Sequence, residues 1–308
     1  MTGRKPKIAV LGSINMDLVA TAPRIPKPGE TIMGGSFVTA PGGKGANQAV
    51  AAVRLGAHVR MIGRVGDDVF GPTLLDNLRA NRVNVDDVVV TPGTPSGIAI
   101  IVLDDNEQNA IVGIYGANMD CGEVQVTAAE TALDGADALL LQMEIPVEVS
   151  LTAARMAHKK GVRVIFDPAP PSELPAAAYK NIDIIAPNQL EAEVLTGIKV
   201  DSVGSAQKAA RELLSRGVGV AIVKLGEQGV VYADASGHRH IPAFEVEAVD
   251  TIAAGDAFAG GLAIALAEGQ LLNAAVRLAA AAGALAVTKS GAQNAMPTRT
   301  EVEALLAG

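Results

Sequence analysis

"ADALLLQMEIPVEVSLTAARMAHKKGVRVIFDPAP", Ala136 to Pro170, carries the pattern on which the fold turns. Its first run, "ADALLLQ", is continuously apolar and short, and ends at Gln142, Met143 and Glu144. That suits a strand buried on both faces. "VEVSLTAARMAHKKG" follows with apolar residues at helical spacing, basic residues near its end and a closing glycine, the marks of a helix and its stop. "VRVIFDPAP" is a second short apolar run and reads as a strand. Strand, helix, strand in this order is the unit of a parallel sheet.

The same rhythm continues on both sides. Toward the N-terminus, "KIAVLGS" (7–13) is a strand, "GANQAVAAVRLG" (45–56) a helix, "HVRMIGRVG" (58–66) a strand and "FGPTLLDNLRAN" (70–81) a helix. Toward the C-terminus, "IDIIAPN" and "VGVAIVKLG" are strands, "QLEAEVLTG" and "AQKAARELLSRG" are helices, and two or more further helices close the chain. Strands alternating with helices of this length predict an α/β fold, a central sheet of mostly parallel strands covered by helices on both faces. Two segments, residues 17–40 and 94–118, break the rhythm, being rich in Gly, Pro and β-branched residues without helical period. "SGIAIIVLDDNEQNAIVGIYG" within the second is a hairpin about a polar turn. These segments predict a small inserted β-sheet acting as a lid, or strands that merely extend the main sheet; the first is preferred. The main domain is then 1–16, 41–93 and 119–308, and the apolar alternation of the lid offers a dimer surface.

Composition is consistent with this. Of 308 residues 49% are hydrophobic and 19% charged, enough for a large core and against disorder. Aromatic residues are 3% and Trp is absent, so the core is built from Ala, Val, Leu and Ile. The formal net charge of −8 argues against a general nucleic-acid binder. One cysteine, Cys121, excludes an intrachain disulfide framework and a multi-cysteine metal site. The apolar run near the N-terminus reads as a strand rather than a signal segment, and no uncharged stretch is long enough for a membrane span. A cytoplasmic protein is expected.

Ligands of such sheets collect beyond the C-terminal ends of the strands. The polar residues there are Asn15 and Asp17 in "GSINMD", Gly42, Gly43, Lys44 and Asn47 in "APGGKGANQA", Glu144, Asn188 with Glu191 three residues on, and Lys224 in "VKLGEQG". Asn and Asp side chains suit a polyol, since each buried hydroxyl needs a partner. "PGGKG" is not a P-loop, because Lys44 is followed by Gly45, and no GxGxxG follows the first strand. The four histidines form no catalytic or metal constellation. "VDTIAAGDAFAGG", Val249 to Gly261, sets Asp250 and Asp256 at the start of an apolar helix. A helix N-terminus attracts anions, so this is either a plain cap or a phosphate site with a base beside it.

In order and spacing, "GSINMD", "APGGKGANQAVAAVRLGA", "GRVGDDVFG", "NQLEAE" and "VDTIAAGDAFAGG" resemble the motifs of the PfkB carbohydrate-kinase family over essentially the whole chain. The resemblance implies ATP-dependent phosphorylation of a sugar hydroxyl, and the first two motifs favour D-ribose. It implies Asp256 as the base, with the backbone N–H groups of Ala253, Ala254 and Gly255 as an anion hole. Asn15, Asp17, Gly42, Gly43, Lys44, Asn47 and Glu144, together with Asp256, match sugar-contacting positions. Asn188, Lys224, Gly226, Gly229 and Gly255 match nucleotide positions. Glu191 would organise Mg²⁺ through water. A K⁺ site would use Asp250 with backbone oxygens of Ile252, Ala286, Lys289 and Gly291. Its last position, often Ser in the family, is Ala295, so a side-chain oxygen is missing. Ala257-Phe258-Ala259 also departs from the family pattern, where altered packing is expected. Other small sugars, deoxyribose, a nucleoside, or sugar binding without catalysis are the competing readings; few aromatic residues are available to stack on a base.

Overall fold

The computed structural model describes residues 4–105 and 109–308. The strands, in chain order, are β1 (Lys7–Leu11), β2 (Asn15–Thr21), β3 (Phe37–Gly42), β4 (His58–Gly66), β5 (Asn84–Thr91), β6 (Gly97–Leu103), β7 (Asn109–Ile114), β8 (Ala138–Leu141), β9 (Arg163–Phe166), β10 (Ile184–Ile185), β11 (Val220–Lys224), β12 (Val230–Asp234) and β13 (Gly237–Ile241). The helices are α1 (Lys44–Arg54), α2 (Phe70–Ala80), α3 (Glu123–Ala132), α4 (Val147–Lys160), α5 (Gln189–Thr196), α6 (Val203–Ser215), α7 (Ala254–Ala267), α8 (Leu272–Ala286) and α9 (Arg299–Ala307).

Nine strands form the main sheet in the order β13-β12-β11-β10-β9-β8-β1-β4-β5. From β5 to β11 every pair is parallel, whereas β11-β12 and β12-β13 are antiparallel. The alternation of side chains along a strand splits the core in two. Ile8, Val10, Ala138, Leu140 and Ile165 face one layer with α1, α2, α7, α8 and α9. Ala9, Leu11, Leu139, Leu141, Val164 and Phe166 face the other with α3, α4, α5 and α6. The predicted helix-covered, mostly parallel sheet is therefore observed.

The second sheet has four strands in the order β3-β2-β6-β7. β2 pairs antiparallel with β3 and parallel with β6, and β6-β7 is the predicted antiparallel hairpin. Residues 106–108 of its "DDNEQN" turn lie outside the described residues, as do residues 1–3 of the predicted main domain. The sheet does not extend the main one. Its pairing runs from Asn15 opposite Gly42, so its strands reach two residues outside 17–40 at each end. Of "ETIMGGSFVTAPGG" only Phe37–Gly42 is strand.

α7 is buried almost all round, as its sequence "AGDAFAGGLAIALA" requires. Ala257, Phe258 and Ala259, the residues that depart from the family pattern, all lie in the core. Glycine lets α7 approach its neighbours: a Cβ on Gly260 would stand 2.7 Å from Ala51 Cβ on α1, and one on Gly261 would stand 3.1 Å from Ala279 Cα on α8. The mouth of α7 is thus held firmly against α1, which carries Lys44, Asn47 and Gln48.

Candidate active site

The candidate site assembles from the ends of β1, β8, β9 and β11, the start of α1, the start of α7 and the adjoining end of the small sheet. Ala253, at the N-cap of α7, has φ 61° in the left-handed region, unusual for a residue with a Cβ. This turn brings the chain sharply into the helix. The first-turn N–H groups of a helix have no intrahelical acceptors, and they sit at the positive end of its dipole. A Cβ on Gly255 would lie 3.1 Å from Lys224 Nζ, so an ammonium stands directly beside the helix mouth.

Asp256, in the first turn of α7, is buried at 3% exposure. Its Oδ2 accepts from Asn47 Nδ2 at 2.9 Å and its Oδ1 from Gln48 Nε2 at 3.1 Å. Burial pushes its pKa up to about 6; Asp167 adds to the rise, while Lys44, Asn47 and Gln48 oppose it. Asn47 Oδ1 is buried without a hydrogen-bond partner among the described residues. A buried acceptor in that state is costly, and a hydroxyl donor from a ligand would satisfy it.

A second cluster lies on the side of the small sheet. Glu144 Oε2 accepts from Ser13 Oγ at 2.5 Å, from the Lys44 backbone N–H at 3.2 Å and from Asn15 Nδ2 at 3.4 Å. Asn15 Oδ1 in turn accepts from Asn118 Nδ2 at 2.7 Å. Asp17 is buried against Gly42, whose missing side chain leaves room for the carboxylate. Burial, with Glu144 and Asp256 nearby, pushes Asp17 up to about 7. Gly43 has φ 87°, and a Cβ there would approach the Asn15 backbone N to 2.6 Å, so only glycine fits this joint between β3 and α1. Burial disfavours the Lys44 charge, yet Asp256, Asp167, Glu144 and Glu191 outweigh it and raise the ammonium's pKa. An array of carboxylates around one lysine, with free acceptor capacity, suits a ligand rich in hydroxyls.

Beyond the mouth of α7, Lys224 Nζ bonds Asp167 Oδ1 at 3.0 Å. Asn188 and Glu191 form a reciprocal cap at the start of α5: Glu191 N–H donates to Asn188 Oδ1 at 2.9 Å, and Glu191 Oε2 accepts from the Asn188 N–H at 2.7 Å. The motif therefore has a structural role of its own. Burial and Asp167 raise the pKa of Glu191, against Lys224. Gly226 has φ 57° with open space where a side chain would be. Gly229 is fixed by packing: a Cβ there would meet Ala243 N at 2.6 Å.

Asp250 joins two loops, accepting from the Ile252 N–H at 2.9 Å and the Gly291 N–H at 2.9 Å. Ala286 and Lys289 are neighbours through Lys289 N–H to Ala286 O at 3.5 Å. No hydrogen bond among the described residues links Ala295 to Asp250; its N–H goes to Ala292 O. The set the resemblance implies, one carboxylate and backbone carbonyls, is all oxygen and would suit a hard cation. Among the described residues no three His, Cys, Asp or Glu side chains group to cage a metal ion.

Sequence reasoning passed over four residues here. Asp167 directly follows an apolar strand and fell under the strand-end rule. Gln48 is an amide in an Ala/Val helix. Ser13 sits in the strand-end stretch "GSINMD" and fell under the same rule; Asn118 carries no local signal, lies far along the chain and joins the site only through the fold.

The family model for pfkB family carbohydrate kinases matches residues 5–299. The ribokinase of Bacillus subtilis (strain 168) is 43% identical over 299 residues, covering 97% of this chain and 99% of that protein. The ribokinase of Haemophilus influenzae is 41% identical over 294 residues, covering 96% of each. Among solved structures, Arabidopsis thaliana ribokinase complexed with ribose and ATP superposes with a TM-score of 0.89 at 32% identity, over 99% of this chain and 100% of that one. These relatives, over a mostly parallel sheet with a basic, amide-lined helix mouth at its strand ends, define a sugar phosphotransferase. The chain belongs to the pfkB family of carbohydrate kinases.

Proposed function

We propose that this chain transfers the γ-phosphoryl group of ATP to the 5-hydroxyl of D-ribose, giving ribose 5-phosphate and ADP. The observation that carries this reading is Asp256: a buried carboxylate, oriented by two amides, at the N-terminus of a helix with an ammonium beside it. The 5-hydroxyl oxygen forms a bond to the γ-phosphorus, the bond from phosphorus to the bridging oxygen of ADP breaks, and the hydroxyl proton passes to Asp256. The N–H groups of Ala253, Ala254 and Gly255 and the ammonium of Lys224 stabilise the charge on the moving phosphoryl oxygens. Asn15, Asp17, Gly42, Gly43, Lys44, Asn47 and Glu144 hold the sugar, and the unpartnered Asn47 Oδ1 is one acceptor for it. Asn188, Gly226 and Gly229 serve the nucleotide side.

Glu191 would hold Mg²⁺ through water, and the ion brought with ATP would supply neutralisation of phosphate charge. K⁺ would act as a monovalent activator, with Asp250 and the carbonyls of Ile252, Ala286, Lys289 and Gly291 to hold it and Ala295 offering no side-chain oxygen. The small sheet, residues 17–40 and 94–118, is the lid, and two copies pair through it. It leaves Phe37, Val112 and Ile114 exposed on one face and Val38 and Ile111 on the other, apolar surface that pairing would cover. Among the described residues no helix is long and apolar enough to cross a membrane. ATP and the sugar are the partners, and the cytoplasm is the expected compartment.

The test is ADP release with Mg-ATP and D-ribose, in K⁺ and then in Na⁺. Ribose-dependent turnover that falls without K⁺ supports both parts. Cation-indifferent turnover removes the K⁺ site. A kcat/KM far higher for 2-deoxyribose or a nucleoside than for ribose overturns the choice of sugar, and ribose binding by calorimetry without ADP overturns the catalytic reading.

A further inference from the structure

We propose that Gln48 is a positioning residue that sets the Asp256 carboxylate for proton acceptance and ties it to Asp167 and Lys224 on the nucleotide side. This rests on the reading of Asp256 as the base. Gln48 is fully buried in α1, whose following buried residues are Ala49, Val50, Ala51 and Ala52. A buried amide is costly unless all its hydrogen-bonding capacity is used. Its Nε2 donates to Asp256 Oδ1 at 3.1 Å and to Asp167 Oδ2 at 3.2 Å, one hydrogen for each carboxylate. Its Oε1 accepts from Gln142 Nε2 at 2.6 Å.

That last bond decides which way round the amide sits. Reversed, two NH₂ groups would face each other and an amide oxygen would face two carboxylates. Gln142, also fully buried, occupies the space a side chain at Gly12 would fill. The glycine after β1 thus admits Gln142, Gln142 orients Gln48, and Gln48 joins Asp256 to Asp167, which holds Lys224 at 3.0 Å. With Asn47 on the other oxygen of Asp256, two successive residues of α1 define the plane of the carboxylate.

The arrangement also solves an electrostatic problem. Asp256 must be ionised to accept a proton, yet Asp167 beside it disfavours that charge. The charged groups acting on Asp256 are Lys44 from α1, Asp167 from the end of β9 and Asp17 from β2. An NH₂ placed between the two carboxylates offsets that and favours the ionised form of Asp256.

The experiment compares the parent, Gln48→Met, Gln48→Glu and Asp256→Asn, each checked for folding by thermal melting and for sugar binding by calorimetry. The expected result for Gln48→Met is a loss of about 10- to 100-fold in kcat, the size of one lost hydrogen bond to a charged group. KM for sugar and for ATP should stay within about twofold, and the acid limb of the kcat/KM profile should move to higher pH, since a donor that favours the ionised form is gone. Gln48→Glu keeps the side-chain volume, serves if the Met variant does not fold, and should move the limb the same way. A folded Gln48 variant with parent-like kcat and an unmoved limb overturns the proposal, as does a rise in KM at unchanged kcat. Asp256→Asn separates the two readings. If it is inactive while Gln48→Met is parent-like, only the positioning role fails; if it turns over normally, the base reading itself fails.

Discussion

Asp256 works under two opposed pressures. Burial raises its pKa to about 6, and two amides and Lys44 pull it back. A carboxylate with this value is ionised at neutral pH; acting as the proposed base, it should make kcat/KM fall about tenfold per unit below pH 6. Asp256→Asn keeps the shape and removes the proton acceptor; kcat should drop by several orders of magnitude while calorimetry still finds sugar binding. Near-parent turnover would remove Asp256 from the chemistry. Asp17 is pushed further, from the ordinary carboxylate value of 3.8 to about 7. The folded state then holds its proton more tightly than the unfolded chain, and stability falls as pH rises between these values. Asp17→Asn should therefore stabilise the fold by about 1–3 kcal/mol at pH 8 and hardly at pH 4, in denaturant melts at both pH values. Sugar affinity should weaken in the same variant. A gain of equal size at both pH values would sink the account.

At α7 and its neighbours, the small residues are the structure. Gly260 is the point of closest approach to α1, and a Cβ there would also stand 3.0 Å from the Ala52 backbone N. Gly260→Val should cost about 1–3 kcal/mol by overpacking, read as a lower denaturant midpoint. It should also reduce kcat, because the mouth of α7 would shift against Asn47 and Gln48. A variant as stable as the parent would mean the helices part more easily than the packing implies. The long apolar runs made β1, β4, β8 and β9 and their helices readable in advance. Other elements gave weaker signals for physical reasons. β10 has only two residues, Ile184 and Ile185. β5, "NVDDVVVT", is an edge strand with an irregular register against β4, and its acidic pair breaks the apolar run. α3 buries only Gln125 and Ala129, too little for a helical stripe. β13, "GHRHI", is polar because it is an exposed edge, and it makes this end of the sheet antiparallel. The site divides in the same way: most residues at strand ends were found by position, Asp167 and Ser13 excepted, whereas Gln48, inside a helix, had only its polarity to mark it.

The molecule as a whole is two sheets that meet at the candidate site. Asn15, Asp17 and Gly42 ride on the small sheet, and Lys44, Asn47 and Gln48 on α1, with Gly43 alone between the two groups. If two copies pair through the lid, Val112→Glu together with Ile111→Lys should turn a dimer into a monomer in sedimentation experiments, without unfolding the main sheet. Unchanged mass would place any partner elsewhere. Asp17 and Asp256, one from each half, carry a further consequence, because each titrates near neutrality when the site is empty. Hydroxyl donors from a bound sugar favour the ionised form of a carboxylate. Sugar binding at pH 7 should therefore expel a fraction of a proton into solution. The heat measured in calorimetry will then vary linearly with the ionisation enthalpy of the buffer, and the slope will count the protons that leave.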